Sequence, residues 1–281
     1  MIKNILIYKL HVTSFLVFRI ETFTNCLNLK GKHVSSSKIE WTEKTWNPVA
    51  GCTPISPGCL NCYAAMMATR LAAMGQKKYD GTAEWRNGRA VFTGHINLDE
   101  TALVIPKKIK KPTVWFVNSM SDLFHEGVPQ SFRRRIFEVM NECPRHQFQV
   151  LTKRPEVALN VADDLTWTPN IWMGTTVENS TVIERAAVLS RIPAAIRFLS
   201  VEPMLGPIPD LSLDGIHWVI IGCESGPKKR PFENEWAEDV IEQCRERGVA
   251  VFVKQVIVGN KVSKKPHGWP ERLRMRNYPE Y

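Results

Sequence analysis

Three cysteines, Cys52, Cys59 and Cys62, lie within the stretch Gly51-Cys-Thr-Pro-Ile-Ser-Pro-Gly-Cys-Leu-Asn-Cys-Tyr63, spaced C-x6-C-x2-C. Pro54, Pro57, Gly51 and Gly58 keep the intervening chain tight and non-helical. Three thiols on one short loop can converge on a single point, which suits a metal or an iron–sulfur cluster better than a core. Zinc is the competing occupant, with Cys223 or a histidine as fourth ligand, and would make a closed structural site. The remaining cysteines are scattered, and Cys143 and Cys244 read as buried free thiols.

The elements around the loop alternate. A first strand is expected over residues 46–51, then a helix over 63–74. Apolar, β-rich runs follow at 113–117, 147–151, 170–174, 196–200, 217–221 and 250–253, with helices at 130–143, 181–191 and 234–247. Such alternation predicts a parallel sheet buried on both faces. Most strands are followed by polar groups, among them Asp122, Lys153, Arg154, Glu178, Asn179, Glu202, Glu224 and Lys254. A full or partial TIM-type (β/α) barrel gathers those ends on one face, whereas an open doubly wound sheet spreads them along an edge. The number of strands with polar ends favours the barrel, with the cysteine loop after its first strand.

Residues 1–28 are apolar but interrupted by Lys9, His11 and Arg19. No run reaches the roughly 18 apolar residues of a membrane helix, and no small-residue cleavage site follows. Residues 31–37 read as a linker. The expectation is an N-terminal extension over 1–37 outside the working domain, with translation properly starting near Val34. Residues 38–281 would then form one α/β barrel-like domain with an insertion at about 76–110. The seven cysteines, an odd count, and the lack of a signal peptide point to reduced thiols in a cytoplasm and to no membrane. The formal charge of +9 divides into +4 for residues 1–37 and +5 for the rest. That permits a nucleic-acid partner without requiring one. Lys77, Lys78, Trp85, Arg86, Arg89, the Lys107–Lys111 run, Arg133–Arg135 and Lys228–Arg230 are the groups that a phosphate backbone and bases would use.

Several blocks carry a resemblance: Thr45-Trp-Asn-Pro-Val-Ala-Gly-Cys52, Pro57-Gly-Cys-Leu-Asn-Cys-Tyr-Ala64, Ser119-Met-Ser-Asp-Leu-Phe-His125, Leu151-Thr-Lys-Arg-Pro155, Gly174-Thr-Thr-Val-Glu-Asn179, Leu199-Ser-Val-Glu-Pro203 and Gly222-Cys-Glu-Ser-Gly226. Over about residues 38–269 the chain resembles a phage- and prophage-associated three-cysteine-motif family of largely unknown function. That family in turn resembles the radical S-adenosylmethionine superfamily. The resemblance implies a [4Fe-4S] cluster on Cys52, Cys59 and Cys62, S-adenosylmethionine on the open iron, and Tyr63 near the adenine. The superfamily's usual spacing is C-x3-C-x2-C, so the first interval here is three residues longer. No Gly-Gly-Glu follows the second strand, and Ser119, Ser121 or Asp122 would receive the cofactor's ammonium. Lys153 or Arg154 would meet its carboxylate or a substrate phosphate. Glu178, Asn179 and Glu202 would take ribose hydroxyls or substrate, and Gly222 to Gly226, with Glu224, would approach the adenine. The implied partners are the cofactor and an electron donor, with a nucleic acid and a further protein left open.

Overall fold

The computed structural model describes Ser37 and residues 39–226 and 228–280. Apart from Ser37, the expectation for residues 1–37 lies outside the described residues. The elements run β1 (Lys44–Trp46), β2 (Val49–Ala50), α1 (Tyr63–Ala73), β3 (Ala83–Arg86), β4 (Arg89–Phe92), β5 (Asn97–Leu98), α2 (Ile105–Lys108), β6 (Val114–Val117), α3 (Gln130–Asn141), β7 (Gln147–Thr152), α4 (Pro155–Asn160), β8 (Ile171–Thr176), α5 (Glu184–Leu189), β9 (Ile196–Val201), β10 (Trp218–Gly222), α6 (Asn234–Glu246), β11 (Ala250–Val258) and β12 (Lys261–Ser263).

The main sheet has the order β1-β6-β7-β8-β9-β10-β11-β12. Every pairing is parallel except β11 with β12. Strands add in one direction and never reverse, so the order has no switch point of the doubly wound kind. The sheet is also not a closed barrel: among the described residues no ladder joins β1 to β11 or β12. The full-barrel half of the expectation is therefore corrected to an open sheet.

The open sheet is strongly curled. Trp41 packs 4.8 Å from Phe116 of β6 and 6.4 Å from Trp218 of β10, measured between ring centroids. β6 and β10 are four strand spacings apart, about 19 Å across a flat sheet. One indole can touch both only if the strands bend around it. Trp41 thus fills the concave side, with Trp172, Phe198, Ile220 and Phe252 around it. Gly174 of β8 makes room there, since a Cβ would lie 2.4 Å from the Phe198 ring. On the convex side α3 buries Phe132, Ile136, Phe137 and Met140, and α6 buries Ala237, Val240 and Cys244. β8 and β10 are buried along their whole length, as a doubly covered parallel strand must be.

The first strand differs from expectation. It ends at Trp46 because Pro48 has no N–H to continue the ladder. The chain then turns into β2, which pairs antiparallel with β5, outside the main sheet. The cysteine loop therefore leaves from β2 rather than from the first sheet strand. Within residues 76–110, β3 and β4 form a hairpin whose Ala90 and Phe92 pack with Tyr79 against α1. No helix among the described residues is long and apolar enough to cross a membrane.

Candidate metal and cofactor site

Above the aromatic floor lies a cavity of about 220 Å³, at the C-terminal ends of the parallel strands. Cys52, Cys59 and Cys62 all line it, as does Cys223. The Cys59 thiol acts electrostatically on both Cys52 and Cys62, so the three sulfurs are neighbours. Among the described residues, however, no three His, Cys, Asp or Glu side chains sit together as a single metal ion requires. Three soft thiols lining one cavity are a donor set that fits a polynuclear iron–sulfur cluster.

Each thiol has a distinct setting. Cys62 is the N-cap of α1, and the Ala64 and Ala65 amides favour its thiolate, although burial outweighs them and pushes the thiol up. Burial pushes the Cys52 thiol up to about 12, with Asp122 adding to the rise and the Arg154 guanidinium, 3.8 Å from Sγ, opposing it. Ser56 Oγ lies 3.8 Å from the Cys59 sulfur.

The loop is pinned from several strands. Glu178, fully buried after β8, accepts from the Ser56 hydroxyl and from Arg185 Nη1 at 3.0 Å. Gly58 packs directly on that carboxylate: a Cβ there would fall 2.4 Å from Oε1 and 2.7 Å from Cγ. Glu224, after β10, accepts from Asn61 Nδ2 at 3.0 Å and from the backbone N–H and guanidinium of Arg230. Arg230 also donates to the Pro57 carbonyl at 2.8 Å. Arg154, after β7, donates to the Thr53 carbonyl at 3.1 Å. His125 completes the set. Gly127 N–H donates to its Nδ1 at 2.9 Å, so Nε2 carries the proton and donates to Thr53 Oγ1 at 2.7 Å. Burial, then the nearby Arg154 charge, lowers the His125 pKa.

The structure brings together most of the residues singled out in the sequence. Tyr63, Ser119, Ser121, Asp122, Lys153, Arg154, Glu202 and Glu224 line the cavity with the cysteines, whereas Glu178, Asn179 and Gly222 do not. Asn179 instead caps the following turn by accepting from Thr181 N–H and Oγ1. Gly222 ends β10 where a Cβ would lie 3.3 Å from Glu202. Glu178 and Glu224 spend their carboxylates on the cysteine loop.

Asp122 is likewise engaged: Phe124 N–H and Thr152 Oγ1 donate to one oxygen, and Lys153 N–H and Arg154 Nη1 to the other. Those four donors fill its lone-pair sites. Ser119 and Ser121 hydroxyls donate to Asn47 Oδ1 and the Val49 carbonyl. The Tyr63 hydroxyl donates to the Ser119 carbonyl at 3.0 Å. Glu202 pairs with Lys254 inside the cavity. Lys153 differs from these cations, its ammonium donating to Thr176 Oγ1 at 3.3 Å and making no ion pair among the described residues.

Sequence reasoning missed Thr53, Ser56, Asn61, His125 and Arg185 as members of the site. Ser56 and Asn61 stand inside the cysteine loop itself, the one signal that could have drawn them out. Several groups offered for phosphate are already used, Arg86, Lys107, Arg134 and Arg135 in exposed ion pairs and three others within the fold. Lys78 pairs with Asp99, Arg133 is buried on the Leu123 and His125 carbonyls, and Arg230 holds Glu224.

Residues 36–273 match the family described as "Protein of unknown function (DUF5131)". No curated protein sequence matches the chain. Among solved structures it is similar to mutants of a spore photoproduct lyase. One is 12% identical with a TM-score of 0.49, with 79% of each chain covered. A second is 14% identical with a TM-score of 0.46, covering 69% of this chain and 59% of that one. A third, with bound AdoMet and dinucleoside spore photoproduct, is 12% identical with a TM-score of 0.44, covering 76% and 64%. The chain thus spans less than two thirds of the length of the second and third of these structures.

Proposed function

We propose that this chain, which belongs to the DUF5131 family of unknown function, is an iron–sulfur enzyme of the radical S-adenosylmethionine type. The observation that carries the reading is the convergence of Cys52, Cys59 and Cys62 on one cavity at the strand ends, on a loop pinned by buried side chains. Cys52, Cys59 and Cys62 would hold a [4Fe-4S] cluster. When bound, that cluster supplies the electron that cleaves S-adenosylmethionine, drawn from an external electron donor.

The chain's own residues prepare the chamber. Arg154 balances charge beside Cys52 and fixes the loop through Thr53. Lys153 is the cation best placed for a carboxylate, because Arg154 and Lys254 already serve Asp122 and Glu202. With Asp122 saturated, an ammonium would be met by Glu202 or by the seryl oxygens of Ser119 and Ser121, which keep acceptor capacity. Tyr63 at the start of α1 and the backbone around Gly222 and Glu224 remain the proposed adenine surround. Trp41 and Phe116, buried and lining the cavity floor, keep water from reactive intermediates. The reading extends to modification of a nucleic acid or nucleotide in a phage or prophage setting, supported by the sequence resemblance.

Anaerobic reconstitution with iron and sulfide, followed by S-adenosylmethionine and a low-potential reductant, tests this. The expected result is a brown protein absorbing near ~400 nm that forms 5′-deoxyadenosine, with both properties lost in Cys59→Ala and Cys62→Ala. A fully loaded cluster that forms no 5′-deoxyadenosine overturns the reading.

A further inference from the structure

The structure ties the tip of the β3–β4 hairpin to the cysteine loop. Asn61, between Cys59 and Cys62, donates to the Lys228 carbonyl at 3.0 Å, and Lys228 Nζ donates to the Gly88 carbonyl in the hairpin turn at 3.2 Å. One residue therefore bridges the hairpin tip and the cysteine loop. The turn is built to stand up: Asn87 and Gly88 have φ of 49° and 70°, the pair of left-handed residues of a type I′ turn.

What the hairpin carries is unusual for a surface. Trp85 pairs with Ala90, whose side chain is buried against α1, so the two share a face. Trp85 nevertheless lies beyond that cover and is 61% exposed. Arg86 and Arg89 pair across the turn, on the face opposite Trp85. Glu84 pairs with Arg86, while Arg89 is exposed and makes no ion pair among the described residues. Tyr63, 48% exposed, stands on the cavity wall.

We propose that this hairpin is a nucleic-acid rim for the cavity: Trp85 stacks on an unpaired base on one face, while Lys228 at the turn and Arg89 on the other face hold the phosphates of a single strand that passes over the hairpin tip. Aromatic stacking with adjacent cations is the chemistry of single-strand binding, and duplex stacking would hide the base that Trp85 needs. The inference rests on the cavity being the reaction chamber and deepens it by naming the substrate class. Lys78, Arg133 and Arg230 have no part in it, since their charges are used inside the fold.

The test is fluorescence anisotropy of end-labelled single-stranded and duplex DNA and RNA oligonucleotides, titrated with the full chain at several salt concentrations. Binding is measured on protein with and without reconstituted iron, so loss of oligonucleotide binding is distinguishable from failure of the cluster reading. Single strands should bind more tightly than duplexes. Trp85→Ala should weaken single-strand binding by about tenfold or more, the usual scale for one stacked base, and Trp85→Phe should recover part of it. Arg89→Ala and Lys228→Ala should each flatten the plot of log affinity against log salt by about 0.7. Circular dichroism identifies any variant that fails to fold, and the exposed Arg89 provides the independent check. No binding at low salt, duplex preference, or a Trp85→Ala affinity within twofold of the parent overturns the proposal.

Discussion

Gly58→Ala is the sharpest probe of how the cysteine loop is held. The added methyl would sit 2.4 Å from Glu178 Oε1, 2.7 Å from Cγ and 2.9 Å from Cδ. Against a relaxed contact of about 3.5 Å, something must move by roughly 1 Å. Glu178 is the poorer candidate. It is fully buried and held by Arg185 and Ser56, and withdrawing it strands the Arg185 charge, at about 3–5 kcal/mol for a buried pair. Displacing the loop resembles ordinary overpacking, at about 1–3 kcal/mol, so the loop is expected to yield. For a domain of this size that lowers Tm by about 2–10 °C. It also carries Cys59, the next residue, outside the roughly 0.5 Å tolerance of a preorganised site. Iron and sulfide per chain after anaerobic reconstitution should fall to about half the parent value or less. Gly268→Ala, where the methyl meets nothing within 4 Å, is the matched control. A Gly58→Ala protein that melts and loads iron like the parent refutes this account of the loop.

Arg230→Ala removes the donor to the Pro57 carbonyl and the two guanidinium bonds to the buried Glu224, leaving the backbone N–H bond in place, and should cost about 1.5–3 kcal/mol. Urea unfolding measures it; an unchanged midpoint would show that Asn61, the backbone N–H at position 230 and water suffice for Glu224. Burial holds the pKa values of His146 and His217 below the ordinary 6.5. The unfolded chain therefore binds their protons first. Stability should be full above pH of about 6.5 and be lost as pH falls through the lowered folded values. Urea midpoints at pH 7.5 and 5.5 should differ in that direction, and equal midpoints would count against it. His125→Gln keeps an amide that can donate to Thr53 but loses the acceptor for Gly127, and should lower Tm modestly while retaining most of the iron. Complete loss of iron would mean His125 does more than fix Thr53.

The sheet was legible because its strands are short, β-branched and aromatic runs separated by helices. The expected runs from Thr113 to Val253 each overlap a strand of the structure. The start was misread for a local reason: Pro48 interrupts an apolar stretch that looks continuous by composition. The helix expected over 181–191 is a 3₁₀ turn followed by α5, because the Asn179 cap draws the chain into a tight turn first. Closure of the sheet depends on whether the last strand reaches the first, and no local pattern encodes that. The cysteines were singled out from spacing alone, and the structure places all three on one cavity. The roles of Glu178 and Glu224 were not, since a carboxylate after a strand looks the same whether it faces a ligand or a loop 122 or 163 residues away.

The contact of Gly58 with Glu178 also has a consequence for descent. Neither residue can drift alone: any side chain at 58 demands a shorter one at 178, and a shorter 178 leaves Arg185 without its acid. The glycine of β8 and Phe198 are bound in the same way. Sequences that share this fold should therefore change at such positions together or not at all, and lineages that lost the cysteines should be free to lose Gly58 while keeping Gly174. Comparing the two glycines across the family would separate what is inherited for the site from what is inherited for the sheet.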